Sequence, residues 1–141
     1  MESSGPDGSR DTAWAMSEEN VEVFKRGVVA WNRDDFDAWI EQHDPEVEWF
    51  ALMEVYRGRA GVRQAWESFK GDMRITVRFG DIRDLGESVL ALGEMKSTGH
   101  TTGLNFKGEV AQLVTYRDGR AIRVRDFASH AEGLEAACLR E

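Results

Sequence analysis

The four residues Arg117-Asp118-Gly119-Arg120 constrain this chain more than any other stretch of its length. They sit between two runs in which apolar and polar side chains alternate. An Asp-Gly pair in that setting is a two-residue hairpin signal, because the favoured turn needs positive φ at both central positions. A hairpin centred there pairs residues whose numbers sum to about 237 or 238, which places Asp126 opposite Ala111 or Gln112. The same period of two begins near residue 74, where Ile75, Val77 and Phe79 alternate with Arg74, Thr76 and Arg78. Further strands are predicted near 88–98, 104–116 and 120–128, with "FKGE" at 106–109 marking a bend or bulge. The second half of the chain therefore reads as an antiparallel run of strands.

The first half has the other period. Val21, Phe24, Val28 and Trp31 fall on one helical face, with Ser17 as the expected N-cap. "NRDD" interrupts the pattern, and Asp34 or Asp35 then caps a short helix carrying Phe36, Trp39 and Ile40. Pro45 ends it by biasing Asp44 away from helical backbone. Val47 to Phe50 read as a short strand. "GRAGVRQAWESFK" gives a third helix, with Val62, Trp66 and Phe69 on one side. Ser129 and Glu132 form a capping-box pattern that opens a last helix. Residues 1–16 are rich in Gly, Ser, Pro and Asp and are expected to form a disordered tail; residues 17–141 form one domain. Helices segregated ahead of antiparallel strands make an α+β fold.

Composition narrows the partners. Net charge is −8 and there is no basic stripe, so nucleic acid is not expected as a partner. No run approaches the ~20 apolar residues of a membrane helix. The N-terminus lacks the basic and apolar regions of a signal peptide, and the single cysteine, Cys138, cannot form an internal disulfide. A cytoplasmic location without membrane contact is the expectation. Cys138 reads as core packing on the last helix. His43 reads as a loop or helix-end residue, and His100 and His130 as solvated. Their spacing does not suit a metal, and no nucleotide or phosphate fingerprint occurs, so no metal or cofactor is expected.

One acid stands out. On the last strand Ile122, Val124 and Asp126 share a face; on its hairpin partner Val110, Gln112, Val114 and Tyr116 do. An aspartate that continues an apolar row needs a donor, and the Gln112 amide can supply one. Two readings follow: the pair satisfies itself, or Asp126 faces a ligand as an acid or base whose ionisation is tuned by burial. Leu90, Leu92, Glu94 and Lys96 share a face of an earlier strand, where Glu94 and Lys96 could pair at a pocket rim. Gly93 makes a bulge there plausible.

The segments "SEENVEVFKRGVVAWNRDDFDAWIEQHDPEVEW", "YRGRAGVRQAW" and "YRDGRAIRVRDFAS", in that order, resemble the SnoaL-like family of the nuclear transport factor 2-like superfamily, over roughly residues 17–137. That resemblance implies a cone of three N-terminal helices on a strongly curved, mostly antiparallel sheet, with a short C-terminal helix. It implies a homodimer through the convex sheet face, here Arg123, Arg125 and Phe127 with Ala111, Leu113 and Thr115. Asp126 falls at the position of the cyclases' acid/base aspartate, while Gln112 stands where its companion histidine would be. The epoxide hydrolases' Arg-x-Asp pair would fall near Glu94-Met95-Lys96, with reversed charges. The ketosteroid isomerase base falls on Trp49 and its oxyanion donors on Gly27 and Gln112, so that constellation is missing.

The combined expectation is a pocket protein. Asp126 and Gln112 are the candidate catalytic pair. Trp49, Tyr56, Phe69, Val110, Val124, Glu94 and Lys96 are candidates to bind a small apolar substrate, with Trp31 and Trp39 in support. A cyclase, isomerase or hydrolase acting by acid/base chemistry is one class; a non-catalytic binding module or scaffold dimer is the other.

Overall fold

A computed structural model describes the backbone of residues 5–138 and the side chains of residues 18–138. Element order is α1 (Gly5–Asn32), α2 (Phe36–Ile40), β1 (His43–Phe50), β2 (Val55–Arg57), α3 (Gly58–Asp72), β3 (Met73–Asp84), β4 (Ser88–Gly99), β5 (Asn105–Arg117), β6 (Arg120–Phe127) and α4 (His130–Ala136). The strands form one six-stranded sheet in the order β2-β1-β6-β5-β4-β3. All neighbours are antiparallel except β1 and β6. This is the α+β cone that the sequence predicts.

Local chemistry explains most boundaries. Asp118 and Gly119 have φ of 53° and 78°, as the tight hairpin demands. Asp35 caps α2 by accepting from the Ala38 N–H at 3.2 Å, and Ser129 caps α4 by accepting from the Glu132 N–H at 3.2 Å. Ser17 is not a cap, because the α1 backbone continues upstream to Gly5; no Gly or Pro interrupts residues 9–17. The tail expected over 1–16 falls on residues whose side chains, and for 1–4 whose backbone, lie outside those described. β1 starts earlier than expected and β2 was not foreseen, since three residues are too few to show a period.

Two clusters bury the sheet. The larger lies between α1–α3 and the concave face, with Val47, Val62, Ala65, Val89 and Ala91 fully buried. The smaller lies on the convex face, where α4 places Leu134 over Leu90, Leu92, Ala111 and Leu113. Gly133 permits that approach: a Cβ there would stand 2.5 Å from the Ala111 Cβ. α1 is tied to the sheet by Asn32, which accepts from the Val77 N–H at 2.9 Å and donates to the Val77 carbonyl at 2.8 Å.

Bulges reset the expected faces. In β5 the pairing runs unbroken through 106–109, so "FKGE" is not a bulge. The irregularities are in β3, where Gly80 is extra between the pairs Phe79↔Gly93 and Asp81↔Leu92, and in β6, where Ile122 is extra between Ala121↔Tyr116 and Arg123↔Thr115. The inward row on β6 is therefore Ala121, Val124 and Asp126, not Ile122, Val124 and Asp126. Cys138 lies just past α4, exposed with φ of 61°, and is not core packing.

Candidate functional site

The hairpin register sets the site. Gln112 lies directly opposite Asp126, and its Nε2 donates to Asp126 Oδ1 at 2.9 Å. The other carboxyl oxygen is met from β1. Parallel pairing brings Trp49 beside Val124, and the indole Nε1–H donates to Asp126 Oδ2 at 2.8 Å. Each oxygen thus accepts one neutral donor, which holds the carboxyl plane and leaves a second lone pair on each. Burial drives the Asp126 carboxyl from the ordinary 3.8 up to about 6, while the bonds from Gln112 and Trp49 pull it down. Asp126 sits deep among protein atoms, yet it keeps some surface, which opens onto a cavity.

That cavity holds about 500 Å³ between the concave face and α1–α3. Its walls are mainly aromatic and aliphatic. Trp31, Trp39, Trp49, Tyr56 and Phe69 form a chain of rings with successive centroids 5.6 to 6.2 Å apart. Among the described lining residues there is no Lys or Arg; the charged types are Asp126 and Glu54. The rim is apolar as well, with Leu52 59 % and Met53 93 % exposed on the loop between β1 and β2. Beside it, burial and the neighbouring Glu54 push the Tyr56 phenol up.

The structure sorts the candidates. Asp126, Gln112, Trp49, Tyr56, Phe69 and Val110 all line the cavity, and Trp31 and Trp39 line it directly instead of only backing it. Val124 belongs to the buried core cluster and not to the wall. Glu94 and Lys96 do share a face with Leu90 and Leu92, but that face is the convex one, so both are exposed outside the cavity. Glu94 pairs across the surface with Lys107 at 3.7 Å rather than with Lys96. Met95, of opposite parity, lines the cavity in their place.

Two histidines are not where the sequence puts them. His130 is half-buried, with Nε2 2.8 Å from the Gly93 carbonyl. His43 is 7 % exposed, opens β1 and lines the cavity. Its Nδ1 is 2.8 Å from the Trp39 carbonyl, and its ring lies 4.4 Å from the Trp39 ring. Burial lowers its pKa from 6.5 to about 4, against the pull of the Trp39 and Ile40 carbonyls, so it is neutral at pH 7. The "HDP" segment gave no sign of this, because burial of a strand's first residue depends on the helices that cover it.

Chemically the site offers one carboxyl able to exchange a proton near neutral pH, an amide that orients it, and a neutral imidazole, all in a mainly aromatic and aliphatic enclosure. Among the described residues no three His, Cys, Asp or Glu side chains converge as a metal site. No helix among them is long and apolar enough to cross a membrane.

Residues 24–124 match the family model described as SnoaL-like domain. No curated protein matches the chain. Solved structures of the same fold include a candidate polyketide cyclase from Xanthomonas campestris pv. campestris, 22 % identical, covering 82 % of this chain and 93 % of that one at a TM-score of 0.72. A nuclear transport factor 2-like protein of unknown function from Burkholderia pseudomallei is 17 % identical over 83 % and 95 % of the two chains, at 0.73. An epoxide hydrolase of the LEH-like type from M. tuberculosis is 17 % identical over 84 % of each chain, at 0.71. At these identities the likeness is one of fold.

Proposed function

The chain belongs to the SnoaL-like domain family, and on that premise we propose that it is an enzyme that moves a proton on a small, mostly apolar, uncharged molecule held in the cone. Asp126 is the proton carrier and Gln112 its orienting partner. The observation that carries this reading is a carboxyl set deep in the cavity, away from the exposed Glu54 at its mouth, raised to about 6 by burial and gripped at both oxygens. A group poised there takes a proton from one substrate atom as carboxylate and returns it to another as carboxylic acid, so the enzyme ends each cycle unchanged. Ring closure and isomerisation need nothing more. The lack of cationic side chains among the described lining residues favours substrates without a carboxylate or phosphate.

The test is a screen of uncharged cyclic carbonyl compounds for isomerisation or cyclisation, followed by Asp126→Asn. Turnover should fall by at least ~100-fold, with the fold retained. Unchanged turnover in that variant would remove Asp126 from the mechanism.

A second reading is a non-catalytic binding module. It is favoured by Gln112, which bonds to Asp126 but cannot titrate, so no second proton carrier stands beside the first. A ligand recovered unchanged under all conditions supports it. The homodimer expected through the convex face also stands as a proposal. α4 already covers Ala111 and Leu113 there, so the pairing surface is the charged remainder around Glu48, Arg123 and Arg125. Analytical ultracentrifugation of the wild type against Arg123→Glu tests it.

A further inference from the structure

The β1–β6 wall of the cavity has a polar group at each end. His43 pairs with Ala121, five residues before Asp126 along β6, so the two lie roughly 15 Å apart along the strand. Between them the wall is ring surface, with Trp39 and Trp49 5.8 Å apart. At the Asp126 end both carboxyl oxygens meet a protein donor. The His43 end differs.

His43 is held firmly for a residue at the start of a strand. Its carbonyl accepts from Arg59 Nη2 at 2.8 Å and Nε at 3.2 Å, clamping the backbone to α3. The neighbouring Gln42 carbonyl accepts from the Ala121 N–H at 2.8 Å. A carbonyl 2.8 Å from Nδ1 requires that nitrogen to carry the proton. In the neutral ring Nε2 is then a bare acceptor. Among the described residues Nε2 has no hydrogen-bond partner. Nor is it sealed in protein: the one fully enclosed side-chain nitrogen or oxygen left without a partner among those residues is Trp31 Nε1. His43 itself is 7 % exposed and lines the cavity. An acceptor in such a wall that no protein donor meets is satisfied best by a donor on the ligand.

We propose that His43 is a ligand-contacting residue whose Nε2 accepts a hydrogen bond from an O–H or N–H of the cavity's ligand. The ligand is therefore elongated and uncharged, apolar along its middle, with a donor at the His43 end and a second polar group at the Asp126 end. This rests on the cone being a ligand site, as proposed above, but not on turnover.

The test uses 2-naphthol and 2-methoxynaphthalene, equal in ring system and different in the donor. Isothermal titration calorimetry with the wild type should show 2-naphthol binding about tenfold more tightly. His43→Asn keeps a donor for the Trp39 carbonyl, since the Asn amide overlays Nδ1, and removes the Nε2 acceptor; it should abolish the preference. Asp126→Asn should leave it intact. In imidazole ¹⁵N NMR of the wild type, the His43 Nε2 signal should move with 2-naphthol and not with the ether, a readout that needs no variant to fold. Failure of 2-naphthol to bind, equal affinity for the two probes, a preference that survives in His43→Asn or vanishes in Asp126→Asn, or a static Nε2 signal overturns the assignment. Turnover lost in Asp126→Asn without a His43-dependent preference sinks this inference alone. The preference without an Asp126 effect on turnover sinks the proposed chemistry alone.

Discussion

Replacing Asp126 with Asn should make the protein more stable at pH 8 and leave it nearly unchanged at pH 3.5. In the folded state the carboxyl titrates near 6, against 3.8 for an ordinary aspartate. Between those values the folded chain holds a proton that the unfolded chain has released, so Asp126's contribution to stability declines as pH rises through 6. Above pH 7 the two-unit difference amounts to about 3 kcal/mol of destabilisation. An amide carries no charge to desolvate. It can still accept from Trp49 Nε1, and a flipped Gln112 can accept from its NH₂, so both partners stay satisfied. The expected gain is about 2–3 kcal/mol at pH 8, or roughly 6–10 °C in Tm for a chain of this size. His43 also titrates on unfolding, in the opposite sense: its lowered pKa removes stability as pH falls through 6.5 toward 4. That term is present in both proteins and cancels in the comparison. Urea unfolding followed by circular dichroism at pH 3.5, 5, 6.5 and 8 gives the difference directly. A gap that does not widen with pH, or an Asn variant less stable at pH 8, would refute the claim that Asp126 is ionised at a desolvation cost.

Three further outcomes follow from the same contacts. Trp49→Phe keeps the ring and removes the donor to Asp126, so the carboxyl pKa should rise further, by about one unit, read from the carboxyl ¹³C shift against pH. Gly93→Ala should lose at least about 2–3 kcal/mol in denaturant unfolding, because a Cβ would run into the Arg78 carbonyl oxygen and stand 2.8 Å from the Phe79 Cα, neither a movable side-chain tip. Lys70→Met should lose about 2–3 kcal/mol: the Lys70 side chain is 9 % exposed, donates to Asp34 at 2.6 Å and to the Trp31 carbonyl at 2.6 Å, and stacks 4.2 Å from the Trp31 ring centre. A change under about 0.5 kcal/mol in either of the last two would contradict the packing described.

The sequence narrowed the cross-strand partner of Asp126 to Ala111 or Gln112, and alternation put both Gln112 and Asp126 in apolar rows. Asp118-Gly119 accepts only one tight turn, and a turn of known length sets every pair beyond it until a bulge intervenes. The bulge at Ile122 does intervene: the turn pairs Arg117 with Arg120 and Tyr116 with Ala121, a register that would set Asp126 opposite Ala111, and the extra residue shifts every later pair by one, so that Gln112 meets Asp126. Glu94 and Lys96 went wrong differently. Alternation put them correctly on a common face with Leu90 and Leu92, but two faces of this sheet are apolar there, and α4 claims the one that was taken for the pocket.

What the sequence determined by itself is what adjacent residues decide: the periods, a cap at Ser129 and another at Asp34 or Asp35, the hairpin, and through it a choice between two cross-strand partners for the acid. The tertiary structure decided what depends on chain segments far apart. Trp49 reaches Asp126 across 77 positions only because β1 runs parallel to β6, and His43 becomes a neutral cavity acceptor only because α2, α3 and β6 close around it. Turn chemistry and periodicity act over a few bonds, whereas desolvation is set by everything that surrounds a group once the chain has folded.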